Sequence, residues 1–218
     1  ALHNENGALR APKDEGLGGW EDRHARSNAS RSNDQEKEVM SAKLRPGQTA
    51  EIAGPKHAMV FPNPAVVASM INRAKRPLLV IGSNALETET EDGNLIDYAI
   101  KIGKKGNITL AATGHIIGEF MKRNAENVYS IPFMNLGDRL RDTNWNGFDG
   151  KGQYDLAIFA GSQYYLEWLV LSGLKNFAPN LRTISLGNLY QPNASWSIGS
   201  VNHSKWMSIL KEVVENIV

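Results

Sequence analysis

The 218-residue chain contains no cysteine. Disulfides, thiol nucleophiles, thiolate-type structural zinc and self-held iron–sulfur clusters all need that side chain, so each is excluded. If the chain serves redox chemistry, the metals belong to a partner. Excess charge of either sign is also missing: 24 Lys and Arg face 23 Asp and Glu, a formal net charge of +1. No basic field would gather nucleic acid or anionic lipid. No stretch approaches the ~18 consecutive apolar residues of a membrane helix, and the first residues lack the apolar core of a signal peptide. These absences lead to the expectation of a soluble, cytoplasmic protein that binds neither membrane nor nucleic acid.

Several catalytic signatures are missing as well. No G-x-G-x-x-G follows a strand, and there is no G-x-x-x-x-G-K-[ST] phosphate loop; Gly16-Leu17-Gly18-Gly19 stands outside any strand–helix context. No G-x-S-x-G elbow, zincin-type His pair or EF-hand loop occurs. Glu89 and Glu91 sit in a polar connection and read as solvated. His115 and His203 each stand at a helix start, where an acid or phosphate-binding role competes with a plain polar cap.

What is present divides into two blocks. Residues 1–54 read as a polar N-terminal arm. Its first fifty residues carry eight Lys or Arg, eight Asp or Glu and only seven large apolar residues, among them Leu2, Trp20 and Met40. Seven such side chains cannot offset an ordering cost of roughly 1–2 kcal/mol for each backbone residue. The expectation is that the arm is ordered by wrapping along a partner.

Residues 55–218 alternate apolar strands with amphipathic helices. Asn63 and Pro64 start a helix whose apolar face holds Val66, Val67, Met70, Ile71 and Ala74. Leu78–Ile81, Ile108–Ala112 and Leu156–Ala160 are short apolar runs ending in a small-residue turn, the pattern of strands buried on both faces. Weaker strands are predicted near Val128 to Ile131 and over Leu181 to Leu186, and helices over Leu95 to Ile102, around Phe120, and from Leu166 to Phe177. Residues 135–153, rich in Asn, Asp and Gly, read as an ordered loop. A closing helix capped by Ser204 repeats Trp206, Ile209, Leu210, Val213, Val214 and Ile217 at helical spacing. Strands joined by helix-length crossovers pair in parallel, so the expected fold is α/β, a Rossmann-like doubly wound parallel sheet with a long arm.

In such sheets ligands sit beyond the carboxyl ends of the strands. The candidate site residues are therefore Gly82, Ser83 and Asn84, Thr113 and Gly114, and Gly161 and Ser162. Glycine there lets backbone approach a phosphate, and it equally serves to turn strand into helix. Tyr164, Tyr165, Trp168 and Trp196 lie near element ends, where large aromatics anchor interfaces or fill cores.

Four segments carry a more specific signal: Ala74-Lys75-Arg76-Pro77-Leu78-Leu79-Val80-Ile81-Gly82, Ala111-Ala112-Thr113-Gly114, the stretch from Trp145-Asn146-Gly147-Phe148-Asp149-Gly150 through Lys151-Gly152-Gln153-Tyr154-Asp155, and Lys175-Asn176-Phe177. In order and spacing they resemble the epsilon-subunit family of archaeal carbon monoxide dehydrogenase, part of the acetyl-CoA decarbonylase/synthase complex. The likeness runs from about residue 60 to the end. It implies a non-catalytic accessory subunit bound to a large catalytic subunit that carries nickel–iron–sulfur and iron–sulfur clusters, in a two-plus-two complex. That family's complex interconverts CO and CO2 and makes or cleaves acetyl-CoA in methanogenic and related archaea. It further implies a role in shaping an electron-acceptor site, for ferredoxin or a flavin. More distantly, the strand–glycine features resemble the central domain of thiamine-dependent enzymes, whose fold in some members holds FAD or an adenine nucleotide. The rival expectation is thus a flavin- or nucleotide-binding redox module using the glycine turns.

Overall fold

The computed structural model describes residues 56–90 and 93–218. The arm assigned to 1–54, its contact with a partner, and Glu91 lie outside the described residues.

Seven parallel strands form one sheet. β1 is Met59–Val60, β2 Pro77–Ile81, β5 Thr109–Ala112, β6 Val128–Ser130, β7 Leu156–Ala160, β8 Arg182–Ser185 and β9 Trp196–Ser197. A separate antiparallel pair, β3 (Glu89–Thr90) and β4 (Gly93–Asn94), makes a small hairpin after β2. The sheet order is β1-β9-β8-β7-β2-β5-β6. From β2 the chain winds outward through β5 to β6, returns to the other side of β2 as β7, and winds the opposite way through β8 to β9. The reversal lies between β2 and β7, so the fold is the doubly wound, Rossmann-like α/β sheet expected from the sequence.

Period-two alternation divides the core. Leu79, Ile81, Leu110, Ile158 and Ile184 face one layer, with α1 (Pro64–Arg73), α2 (Leu95–Lys105), α3 (Ile117–Lys122) and α6 (His203–Asn216). Leu78, Val80, Ala157 and Phe159 face the other, formed by α4 (Phe133–Arg141) and α5 (Tyr164–Phe177). Asn63 caps α1 as predicted, its side chain accepting the Val66 N–H at 3.2 Å.

Three readings of the sequence need correction. The stretch read as a loop over 135–153 opens inside α4, because Phe133, Leu136 and Leu140 recur at i, i+3 and i+7 and pack into the core despite poor helix-forming neighbours. The cap of α6 is Asn202, which accepts the Lys205 N–H at 2.9 Å, so Ser204 already lies inside the helix. The two-residue strands β1, β9, β3 and β4 escaped the reading because two residues are too few to show a period.

The stretch that carries the family resemblance is structural. Asp155 accepts the backbone N–H groups of Lys75 at 2.9 Å and Arg76 at 2.8 Å, tying the starts of β7 and β2. Arg76 lies over the Tyr154 ring, 5.1 Å from its centroid, and pairs with Asp149 at 2.5 Å. Phe148 stacks on Tyr129 at 4.7 Å and meets Trp145 edge-on at 5.1 Å. Gly147 has a φ of +75°, and a Cβ there would lie 2.7 Å from the Gly152 carbonyl, which only glycine tolerates. The Asp155 bonds to Lys75 and Arg76 lie at the amino end of the sheet, opposite its carboxyl edge.

Candidate functional site at the carboxyl edge

The turns after β2 and β7 pack directly on each other. The Gly82 N–H donates to the Ala160 carbonyl at 2.9 Å, and the Asn84 N–H donates to the Gly161 carbonyl at 2.9 Å. A Cβ on Gly82 would stand 2.4 Å from Ser162 Cα, and one on Gly161 would stand 2.8 Å from Ala85 Cβ. Ser83 opens a short 3-10 turn, Ser83–Leu86. One strand over, Thr113 is buried, and both its N–H and its hydroxyl donate to the Ile81 carbonyl at 3.0 Å. Gly114 follows with a φ of +68° and open space where a side chain would be. The structure therefore joins Gly82, Ser83, Asn84, Gly161 and Ser162 at the switch point, and sets Thr113 and Gly114 beside them in the turn after β5.

Asn84, Gly161 and Ser162 also line a cavity of about 440 Å³, completed by Gly187 and Asn188 after β8, by His203 and Trp206 on α6, and by Glu87, Thr88 and Glu89. Its innermost ionisable group is Glu167, in the first turn of α5 and only 3% exposed. The Ser185 hydroxyl donates to its Oε1 at 2.6 Å. Burial pushes the carboxyl up to about 7, the Ser185 and Ser162 hydroxyls drawing it partly back. The Ser162 Oγ is itself buried and has no hydrogen bond of good geometry. The Trp206 indole is fixed by donation to the Leu186 carbonyl at 2.7 Å.

Reading the sequence for strand-end glycines found the cavity's wall and missed Glu167. The signal was available: Val170, Leu171 and Leu174 follow it at i+3, i+4 and i+7, so Glu167 is a carboxylate on an apolar helix stripe. Of the aromatics singled out, Tyr164 donates to the Tyr190 carbonyl at 3.1 Å and Trp196 stacks on Phe61 at 5.2 Å. Trp168 is half-buried, whereas Tyr165 is 74% exposed. His115 is exposed beside Gly114.

A dinucleotide or flavin would need donors and positive charge for its pyrophosphate. Among the described residues no Lys or Arg lines the cavity, three carboxyl groups do, and the Gly82 and Asn84 N–H groups are already engaged. The space freed by Gly82 is filled by the Ser162 backbone rather than left as a cradle. These residues do not fit a pyrophosphate. Among the described residues no cluster of three His, Cys, Asp or Glu could hold a metal ion, and no helix is long and apolar enough to cross a membrane.

Comparison with known proteins agrees with the motif-bearing segments. A sequence model of the family described as CO dehydrogenase beta subunit/acetyl-CoA synthase epsilon subunit matches residues 40–214, beginning within the polar N-terminal stretch. The chain is 37% identical over 172 residues to the acetyl-CoA decarbonylase/synthase complex subunit epsilon of Methanothrix soehngenii, covering 78% of this chain and 89% of the relative. It is 37% identical over 152 residues to subunit epsilon 1 of that complex from Methanosarcina barkeri, covering 70% and 85%. The epsilon subunit of Methanothermobacter thermautotrophicus is 31% identical over 177 residues, covering 80% and 97%. With a family match over most of its length and a described fold that holds the motif-bearing segments in place, the chain belongs to the CO dehydrogenase beta subunit/acetyl-CoA synthase epsilon subunit family.

Proposed function

We propose that this chain is a non-catalytic accessory subunit of the CO dehydrogenase component of an acetyl-CoA decarbonylase/synthase complex. In this reading it binds the large nickel–iron–sulfur subunit in a two-plus-two assembly, stabilises that subunit and helps to form the surface on which an electron acceptor such as ferredoxin docks. The observation that carries the reading is the match over residues 40–214 to a family whose relatives are named as subunits of that complex, in a chain with no cysteine to hold a cluster of its own. A surface feature agrees with it. Around a groove between α4 and α5, Met134, Leu169 and Phe177 are 44%, 51% and 64% exposed, the kind of apolar grouping that marks a contact surface.

The test is anaerobic co-expression with the large subunit. The chain should co-purify with it and raise its resistance to thermal inactivation, while the chain alone shows no CO oxidation. Replacing Leu169 and Phe177 by Ser should reduce co-purification and leave the isolated chain folded. The rival flavin or nucleotide module predicts a stoichiometric small molecule released on denaturation, and the acidic cavity argues against it.

A further inference from the structure

We propose that the cavity between the turns after β7 and β8 and the first turn of α6 is a binding site for an ammonium or guanidinium group, anchored by the Glu167 carboxylate. The inference is independent of the assembly reading, since it rests on the cavity alone.

Three observations converge on it. Glu167 is more than nine-tenths buried yet lines a cavity of about 440 Å³. Ser185 Oγ donates to the Glu167 carboxylate at 2.6 Å and the Ser162 hydroxyl lies near enough to lower its pKa without a well-formed bond, which leaves acceptor capacity for a ligand, because an ionised carboxylate offers about four lone-pair positions. Beside it the Ser162 Oγ is buried with no partner of good geometry, and a native structure seldom leaves such a group unsatisfied without reason. The third observation is charge. Glu87 and Glu89 line the same cavity and are exposed, and among the described residues no Lys or Arg lines it.

A buried carboxylate is costly unless a cation and donors accompany it. A guanidinium or ammonium supplies both, and its donors match the open positions on Glu167 and the Ser162 hydroxyl. An anion would meet three carboxyl groups. The titratable groups sharing the cavity with Glu167 are Glu87 from the 3-10 turn, Glu89 from β3 and His203 from α6. Because burial holds Glu167 at about 7, a bound cation displaces its proton, and affinity rises with pH. The cation has two possible sources with the same chemistry: a free small amine, or a Lys or Arg side chain of a neighbouring subunit.

The experiment titrates the full chain with methylguanidinium, and with uncharged N-methylurea as the shape control, following the amide signals of Gly161, Ser162 and Gly187 and the Trp206 indole by NMR. Methylguanidinium should give saturable shifts at these positions and N-methylurea none. Affinity should rise about tenfold from pH 6 to pH 8, as the carboxyl passes from mostly protonated to mostly ionised. Glu167→Gln keeps an acceptor for Ser185 and should abolish both the binding and its pH dependence. Glu87 and Glu89 are exposed, so the pair Glu87→Gln and Glu89→Gln removes charge without touching the core, and should weaken binding about two- to fourfold by lowering the local negative potential. Equal responses to the two probes, unchanged binding in both sets of variants, or saturable shifts with AMP in place of methylguanidinium would overturn the proposal. Repeating the titration with the large subunit bound separates the sources. Loss of the response assigns the site to a subunit's basic side chain, and retention assigns it to a free amine.

Discussion

On the β2 and β5 side of the carboxyl edge, polar backbone groups are used within the protein. Gly82 and Asn84 donate to Ala160 and Gly161, and Thr113 closes on Ile81 with both of its donors. On the β7 and β8 side, Ser162 lacks a well-placed partner and Glu167 has one well-formed hydroxyl bond for a carboxyl buried beside open space. Both sides begin from a strand ending in a small-residue turn. A strand-end glycine therefore leaves room for a ligand only where the opposing element stands back. Between β2 and β7 the opposing turn fills the space, whereas beyond β8 the chain runs through Gly187 and Asn188 and leaves a cavity.

Substitutions can break this comparison, and the largest effect is expected at the closed side. Gly82→Val sets a side chain against the Ser162 backbone, which has no flexible atom to yield. A loss of about 3 kcal/mol or more is expected in chemical denaturation, or failure to fold. A change under about 1 kcal/mol would show that the two turns are not locked together.

Next is Glu167 on the open side. Its folded value of about 7 lies above the ordinary 4.5, so the unfolded chain gives up this proton first as pH rises. The contribution to stability is complete below about pH 4.5 and is lost as pH climbs through 7. Relative to Glu167→Gln, the wild-type chain should lose on the order of 3 kcal/mol between pH 4.5 and pH 8. Denaturation midpoints of the pair across that window check the sign, and parallel curves would refute the buried, raised carboxyl.

Smaller effects sharpen the contrast. Thr113→Val removes the hydroxyl bond to Ile81 while keeping its shape and the backbone bond, and should cost about 1 kcal/mol in thermal unfolding. Gly114→Ala meets no atom but must hold a φ of +68°, and about 1 kcal/mol or less of destabilisation is expected. Were Gly114→Ala as damaging as Gly82→Val, contact with the opposing turn would not be what makes Gly82 intolerant.

Much of the fold could be read from the sequence because its strands are short, fully apolar and punctuated by glycine, and because Asn63-Pro64 and the apolar repeat of α6 mark helices directly. The reading failed where packing outweighs composition. In α4 three apolar residues hold a helix amid Asn, Gly and Asp, and β1 and β9 become strands only because a neighbour supplies the pairing. At the site, the sequence located Gly161 and Ser162 through the strand-end rule and passed over Glu167. A carboxylate on an apolar stripe becomes informative once the helix it sits on is known to face a cavity. The Trp145–Asp155 stretch made the family recognisable, yet its side chains lock the amino ends of β2 and β7 together, so the clearest sequence signature reports on the scaffold.

The most direct test of the central claim is a native mass spectrum of the assembly purified anaerobically through this chain. The accessory-subunit account predicts two copies of this chain with two copies of a large metal-bearing subunit, and no flavin or nucleotide released on denaturation. A free chain under these conditions, or a stoichiometric flavin bound to it, would contradict the account.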